Sequence, residues 1–148
     1  MPGVSIHVVD VSRGVVAAGM QIELHAVEAE GKFKLIAKGA IGANGLLNQP
    51  ELSNTFPAGS YVATFHVAGF YRAQRVALPT VPFLDVVRFD FGIVDPAQHY
   101  HLPFKCTPWG YSCFRGGPDG QPANKTPLAA LRDFDAACVR FGSLAAGH

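Results

Sequence analysis

His99-Tyr100-His101-Leu102-Pro103-Phe104-Lys105-Cys106 alternates along its length, and that alternation decides the fold. Side chains of an extended strand point to opposite faces with period two. Tyr100, Leu102, Phe104 and Cys106 therefore share one apolar face, while His99, His101, Pro103 and Lys105 share the other. The apolar face belongs to a core. The opposite face gathers two imidazoles and an ammonium, a polar site and not a packing surface. Val4-Ser5-Ile6-His7-Val8-Val9-Asp10 repeats the pattern near the N-terminus. Val4, Ile6 and Val8 form an apolar row, and Ser5 and His7 point the other way with Val9. A strand with one apolar and one polar face is a common antiparallel element. If the two strands are neighbours, His7 comes close to His99 or His101, an adjacency that spacing alone does not give.

Outward from these two segments, short stretches of strand character fall at 4–10, 20–28, 33–37, 60–66, 84–92, 98–106 and 111–114. Arg13-Gly14, Glu30-Gly31, Asn44-Gly45, Pro57-Ala58-Gly59 and Asp95-Pro96 supply turns between them. Residues 69–74 read as a brief helix between two strands. Short strands with regular turns predict an all-β, two-sheet antiparallel sandwich over residues 1–117. His25 and His66 fall in strands without polar company and read as structural. Residues 118–148 differ: Pro118 to Asn124 is linker-like, and Thr126-Pro127 supplies an N-cap with proline at the first helical position. Leu128, Leu131, Phe134, Cys138 and Phe141 then recur at three or four residues. That spacing predicts an amphipathic C-terminal helix packed on the sandwich or on a neighbouring subunit.

Composition narrows the function. The chain has 148 residues, enough for one domain with a real core, and 49% of them are hydrophobic against 16% charged. A formal net charge of +1 gives no electrostatic case for nucleic acid or an acidic membrane. No apolar run is long enough to span a bilayer. The opening Met1-Pro2-Gly3-Val4 lacks the basic and apolar regions of a secretory signal, so a cytoplasmic location is expected. Cys106, Cys113 and Cys138 match no metal-ligand spacing, and the first two fall on apolar faces, as buried, reduced and inert thiols do.

These residues also carry a resemblance. His7-Val8-Val9-Asp10 with Arg13-Gly14 and Ala17-Ala18-Gly19, His99-Tyr100-His101-Leu102-Pro103, and the Tyr111-Ser112-x-x-Arg115-Gly116 ending resemble the transthyretin-like family. Its enzymatic members are 5-hydroxyisourate hydrolases. The likeness covers roughly residues 4–117 and implies a two-sheet sandwich assembled as a homotetramer, a dimer of dimers, around a central channel. It implies a hydrolase of purine metabolism, needing no cofactor and no metal, that acts on a small planar heterocycle. In that family the site resembles one built from the N-terminal strand histidine, the arginine of an Asp-Gly-Arg turn, a His-Tyr-His histidine and a Tyr-Arg-Gly-Ser tail.

Carried over, the resemblance makes His7 and His101 acid–base groups, with His99 the lesser member of its pair, and puts Leu46, Ser112, Phe114, Arg115 and Gly116 against the substrate. Leu46 stands where the family has arginine, Phe114 where it has the tail tyrosine, and Gly117 where it has the terminal serine. Lys105, on the face of His99 and His101, is expected to supply the missing cation. Arg115 is also readable as a structural residue that pairs with a carboxylate. Three imidazoles would suit zinc as a minor alternative. Two other functions stay open: a channel that binds a small aromatic ligand without turnover, and a tautomerase or decarboxylase chemistry on the same site.

Overall fold

A computed structural model describes residues 2–117. It contains β1 (Gly3–Asp10), β2 (Val15–Val16), β3 (Gln21–Val27), β4 (Phe33–Ala40), β5 (Gly59–His66), α1 (Val67–Ala73), β6 (Val86–Ile93), β7 (His99–Thr107) and β8 (Gly110–Cys113). Two four-stranded sheets form, in the orders β2-β1-β7-β8 and β4-β3-β5-β6. This is the expected sandwich with one short helix. The two-residue β2 was not anticipated, being too short to carry an alternation signal. The expected linker and helix of 118–148 lie outside the described residues.

One pairing departs from the antiparallel expectation. β1 and β7 run parallel, with Ser5 opposite His101 and His7 opposite Pro103, whereas every other pair in the two sheets is antiparallel. The two strands come from opposite ends of the domain, so no hairpin fixes their direction. The whole second sheet lies between them in sequence and supplies the long connection that parallel pairing needs.

The alternation read from the sequence sorts the faces. Val4, Ile6 and Val8 of β1, and Tyr100, Leu102, Phe104 and Cys106 of β7, are buried together with Ile22, Leu24, Ala63 and Phe65 of the second sheet. Phe65 stacks on Phe104 with ring centroids 3.9 Å apart and planes within 6°. Each such side chain contributes roughly 1.5–3 kcal/mol by leaving water. Burial pushes the Cys106 thiol up to about 11 and that of half-buried Cys113 up to about 12. At neutral pH neither presents the thiolate that reactivity requires.

Asp10 ends β1 with no exposed surface. Its carboxylate accepts hydrogen bonds from Ser12 N (3.1 Å) and Oγ (2.5 Å), Arg13 Nε (2.6 Å) and Tyr71 Oη (2.7 Å). Burial by itself would raise this carboxyl, but the bonds from Ser12, Tyr71 and Arg13 outweigh it and hold the group below its usual range. Tyr71 also donates to the Cys106 carbonyl at 3.2 Å. One buried carboxylate thus ties α1 to the ends of β1 and β7.

Candidate active site

The outward face of the first sheet is a grid set by strand register. Ser5 lies opposite His101, which bridges to Gly116. In the next row His7 lies between Leu46 and Pro103, and the register continuing past β8 puts Phe114 beyond Pro103. In the row after that, Val9 lies between Val16 and Lys105, with Ser112 beyond. Rows are about 7 Å apart along a strand and strands about 4.8 Å apart across the sheet. His7, His101, Leu46, Phe114, Lys105, Ser112 and Gly116 thus share one face, of which the sequence alternation predicts His101 and Lys105.

Two glycines let the backbone close on the histidines. The turn before Leu46 is held by Asn44 Oδ1, which accepts from Leu46 N at 3.0 Å, and Gly45 takes the left-handed φ of 81°. A Cβ at Gly45 would lie 2.6 Å from His7 Nε2 and 2.7 Å from Val16 Cγ1. Val8 N then donates to the Gly45 carbonyl at 2.9 Å, seating Leu46 beside His7. Gly116 does the same for the second histidine, since a Cβ there would meet His101 Cδ2 at 2.8 Å and Pro103 at 3.2 Å.

The hydroxyl of Ser5 joins the other two imidazoles. Its Oγ lies 2.8 Å from His99 Nε2 and 2.6 Å from His101 Nδ1. Gly3 is opposite His99, and a Cβ there would lie 2.5 Å from the Leu52 carbonyl oxygen. Sequence reasoning missed Ser5 as a site residue. Period two did put it on the face of His7, but the parallel register that sets it against His101 is a tertiary fact.

Lys105 is exposed and holds its Nζ 5.8 Å above the Phe114 ring. It leans from its own row toward the row of His7, Pro103 and Phe114. Among the described residues Arg115 does not pair with a carboxylate. Its guanidinium rests 4.0 Å over the Tyr100 ring and donates to Gln98 Oε1 (3.1 Å) and the His99 carbonyl (3.2 Å). That makes it a brace for the start of β7. His25 and His66 are not without polar company: Glu23 lies 2.9 Å from His66 Nε2 and 3.9 Å from His25 Nε2. Among the described residues no three His, Cys, Asp or Glu side chains are placed to hold a metal ion. A cavity of about 310 Å³ lies elsewhere, against Ala26, Ile36, Phe56 and Tyr61, and takes in none of the residues of this face.

The arrangement offers an apolar row of Leu46, Pro103 and Phe114 for a flat ring, imidazoles for proton transfer beside it, and a mobile cation at its edge. No helix among the described residues is long and apolar enough to cross a membrane. Residues 4–116 match the HIUase/Transthyretin family. The 5-hydroxyisourate hydrolase of Deinococcus radiodurans is 36% identical over 116 residues, covering 78% of this chain and 96% of that one. The structure of Klebsiella pneumoniae 5-hydroxyisourate hydrolase superposes with a TM-score of 0.65 at 27% identity, over 79% of this chain and 100% of that one. (S)-allantoin synthase superposes with a TM-score of 0.72 at 30% identity over 78% of this chain, which spans only 43% of that longer protein. With its fold and three quarters of its length in agreement, the chain belongs to the HIUase/Transthyretin family.

Proposed function

We propose that this protein is a cytoplasmic, homotetrameric hydrolase that opens a C–N bond in a small planar cyclic amide, as the name 5-hydroxyisourate hydrolase describes for its relatives. The observation that carries this reading is that His7 and His101 lie in adjoining rows of one face, each wrapped by a glycine. A neutral imidazole there takes a proton from water as the water oxygen bonds to the ring carbonyl carbon. The other imidazole gives a proton to the ring nitrogen as the C–N bond breaks. The Lys105 ammonium, leaning over Phe114, serves as the cation for the developing oxyanion in place of the arginine that Leu46 displaces. It acts as a point charge without arginine's two-pronged fork. The edge strand β8, paired on one side only, supports assembly with further copies.

The apolar row of Leu46, Pro103 and Phe114 favours one competing reading, retention of a flat ligand without turnover. An ultraviolet assay with freshly generated 5-hydroxyisourate separates the two. The expected result is decay well above the spontaneous rate, lost in His101→Ala and weakened through kcat in Lys105→Met. Decay no faster than the spontaneous rate overturns the hydrolytic reading, and an unchanged Lys105→Met removes the lysine from it.

A further inference from the structure

We propose that Ser5 and His99 form a proton relay behind His101. In it Ser5 is a positioning residue that fixes which nitrogen of His101 meets the reacting group, and His99 carries the displaced proton toward solvent. The proposal rests on the hydrolytic reading above and deepens it.

A hydroxyl has one proton to donate and lone pairs with which to accept. Held 2.6 Å from Nδ1 of His101 and 2.8 Å from Nε2 of His99, Ser5 Oγ can donate to only one neutral imidazole and must accept from the other. Two proton arrangements result. In the first, Nδ1–H of His101 donates to Ser5 and Ser5 donates to Nε2 of His99, so Nε2 of His101 is unprotonated, as a base must be. In the second, Ser5 donates to Nδ1 of His101 and Nε2–H of His99 donates to Ser5, so Nε2 of His101 bears the proton, as an acid must. The two differ by one proton taken up at Nε2 of His101 and one released from Nδ1 of His99. Every group stays neutral at both ends of the exchange.

The reaction needs such an exit. Water adds across the amide: its oxygen bonds to the carbonyl carbon, one proton ends on the ring nitrogen, and the other is released when the new carboxyl group ionises. The released proton leaves an apolar row of Leu46, Pro103 and Phe114, where a stranded charge is costly. His99 stands at the start of β7 beside exposed Gln98, at the outer end of the chain of bonds. Among the described residues, the charged and titratable groups around the relay are His7 on β1, Lys105 on β7 and Arg115 after β8, the last of which donates to the His99 carbonyl.

The test uses the full chain labelled with ¹⁵N-histidine. The nitrogens that face Ser5, Nδ1 of His101 and Nε2 of His99, are expected to be in opposite states, one bearing a proton and the other bare, and in Ser5→Ala to lose that correlation. In the hydroxyisourate assay Ser5→Ala should lower kcat about tenfold to a hundredfold and move the pH–rate profile while leaving KM nearly unchanged. Ser5→Thr, which keeps the hydroxyl, should restore most of the rate. Adding His99→Asn to Ser5→Ala should cost nothing more, because both break the same chain. Facing nitrogens that are both protonated or both bare in the unaltered protein, or additive losses in the double variant, overturn the relay. If the unaltered protein does not accelerate hydroxyisourate decay, the hydrolytic reading fails, and the ¹⁵N spectra of the two rings still decide the relay.

Discussion

On the outer face of the first sheet a serine hydroxyl joins His99 to His101, while on the outer face of the second a carboxylate, Glu23, lies between His25 and His66. Both clusters are half-buried, and both span neighbouring strands, Ser5 of β1 against the two histidines of β7 and Glu23 of β3 against His66 of β5. The bridging atom makes the difference. An ionised carboxylate only accepts, so an imidazole bonded to it must present N–H and has no lone pair at that nitrogen to offer a substrate. Glu23 is held below the usual carboxylate range, first by the hydrogen bond from His66, which marks it as the ionised acceptor. A hydroxyl donates and accepts, and so leaves its imidazoles able to trade protons. Histidine count alone would not have told a chemical face from a structural one.

The largest effect expected from this contrast is kinetic. His7→Ala should lower kcat/KM for hydroxyisourate by about 10²–10⁴, the usual worth of a general acid or base. His66→Ala, on the other sheet, should leave it within about twofold. Steady-state rates of the two variants at matched fold, checked by circular dichroism, decide it, and an equal loss in both would erase the contrast. Asp10 extends the comparison to a carboxylate with no exposure at all. Asp10→Ala leaves buried Tyr71 Oη only its longer bond to the Cys106 carbonyl, removes the acceptor of Ser12 and Arg13, and should cost about 3 kcal/mol in a urea titration. Because the folded state depresses this carboxyl, its stabilisation is fully present above the ordinary value of 3.8 and is lost as pH falls below it. Acid unfolding of Asp10→Ala should accordingly show a flatter dependence on pH below about 4.

Glycine clearance gives the next, smaller effect. Gly116→Ala pushes a Cβ to 2.8 Å from His101 Cδ2, and small displacements of a reacting group are costly. We expect about a tenfold fall in kcat with little loss of stability. Gly92→Ala in β6 meets nothing nearer than the Gly59 carbonyl at 3.7 Å and should leave kcat as it is. Equal kinetics in the two variants would show that His101 does not depend on the space at Gly116.

How much of this was legible follows from what period-two patterning encodes. It records which way a side chain points, so the burial of Val4, Ile6, Val8, Tyr100, Leu102, Phe104 and Cys106 followed directly, as did the shared face of His99, His101 and Lys105. It does not record which strand lies alongside, in which direction, or at what offset. Those decide that Ser5 and not His7 sits against His101, and that His66 reaches Glu23 diagonally across β3 and β5. Leu46 came only from the family resemblance, as the residue in the place of the arginine, since the Asn44-Gly45 turn marks a bend and not what the next side chain faces. Arg115 was misjudged in its partner because the Tyr100 ring it covers lies on the neighbouring strand.

Glu23→Gln should have the smallest effect, and it bears most directly on the meaning of a bridging atom. The change removes the charge but keeps an amide able to accept from one imidazole. Glu23 and His66 are each about a third exposed, with side-chain values of 35% and 36%, so solvent already screens the pair. An exposed pair of this kind is worth well under about 1 kcal/mol. Urea unfolding at pH 7 should therefore move by less than that, and hydroxyisourate turnover should not move at all. The depressed carboxyl means that any stabilisation from Glu23 disappears as pH falls below its ordinary value of 4.5, so the small difference between the two proteins should vanish in acid. A loss that persists there would assign Glu23 a packing role, and a change in turnover would join the two histidine clusters that the sandwich core holds apart.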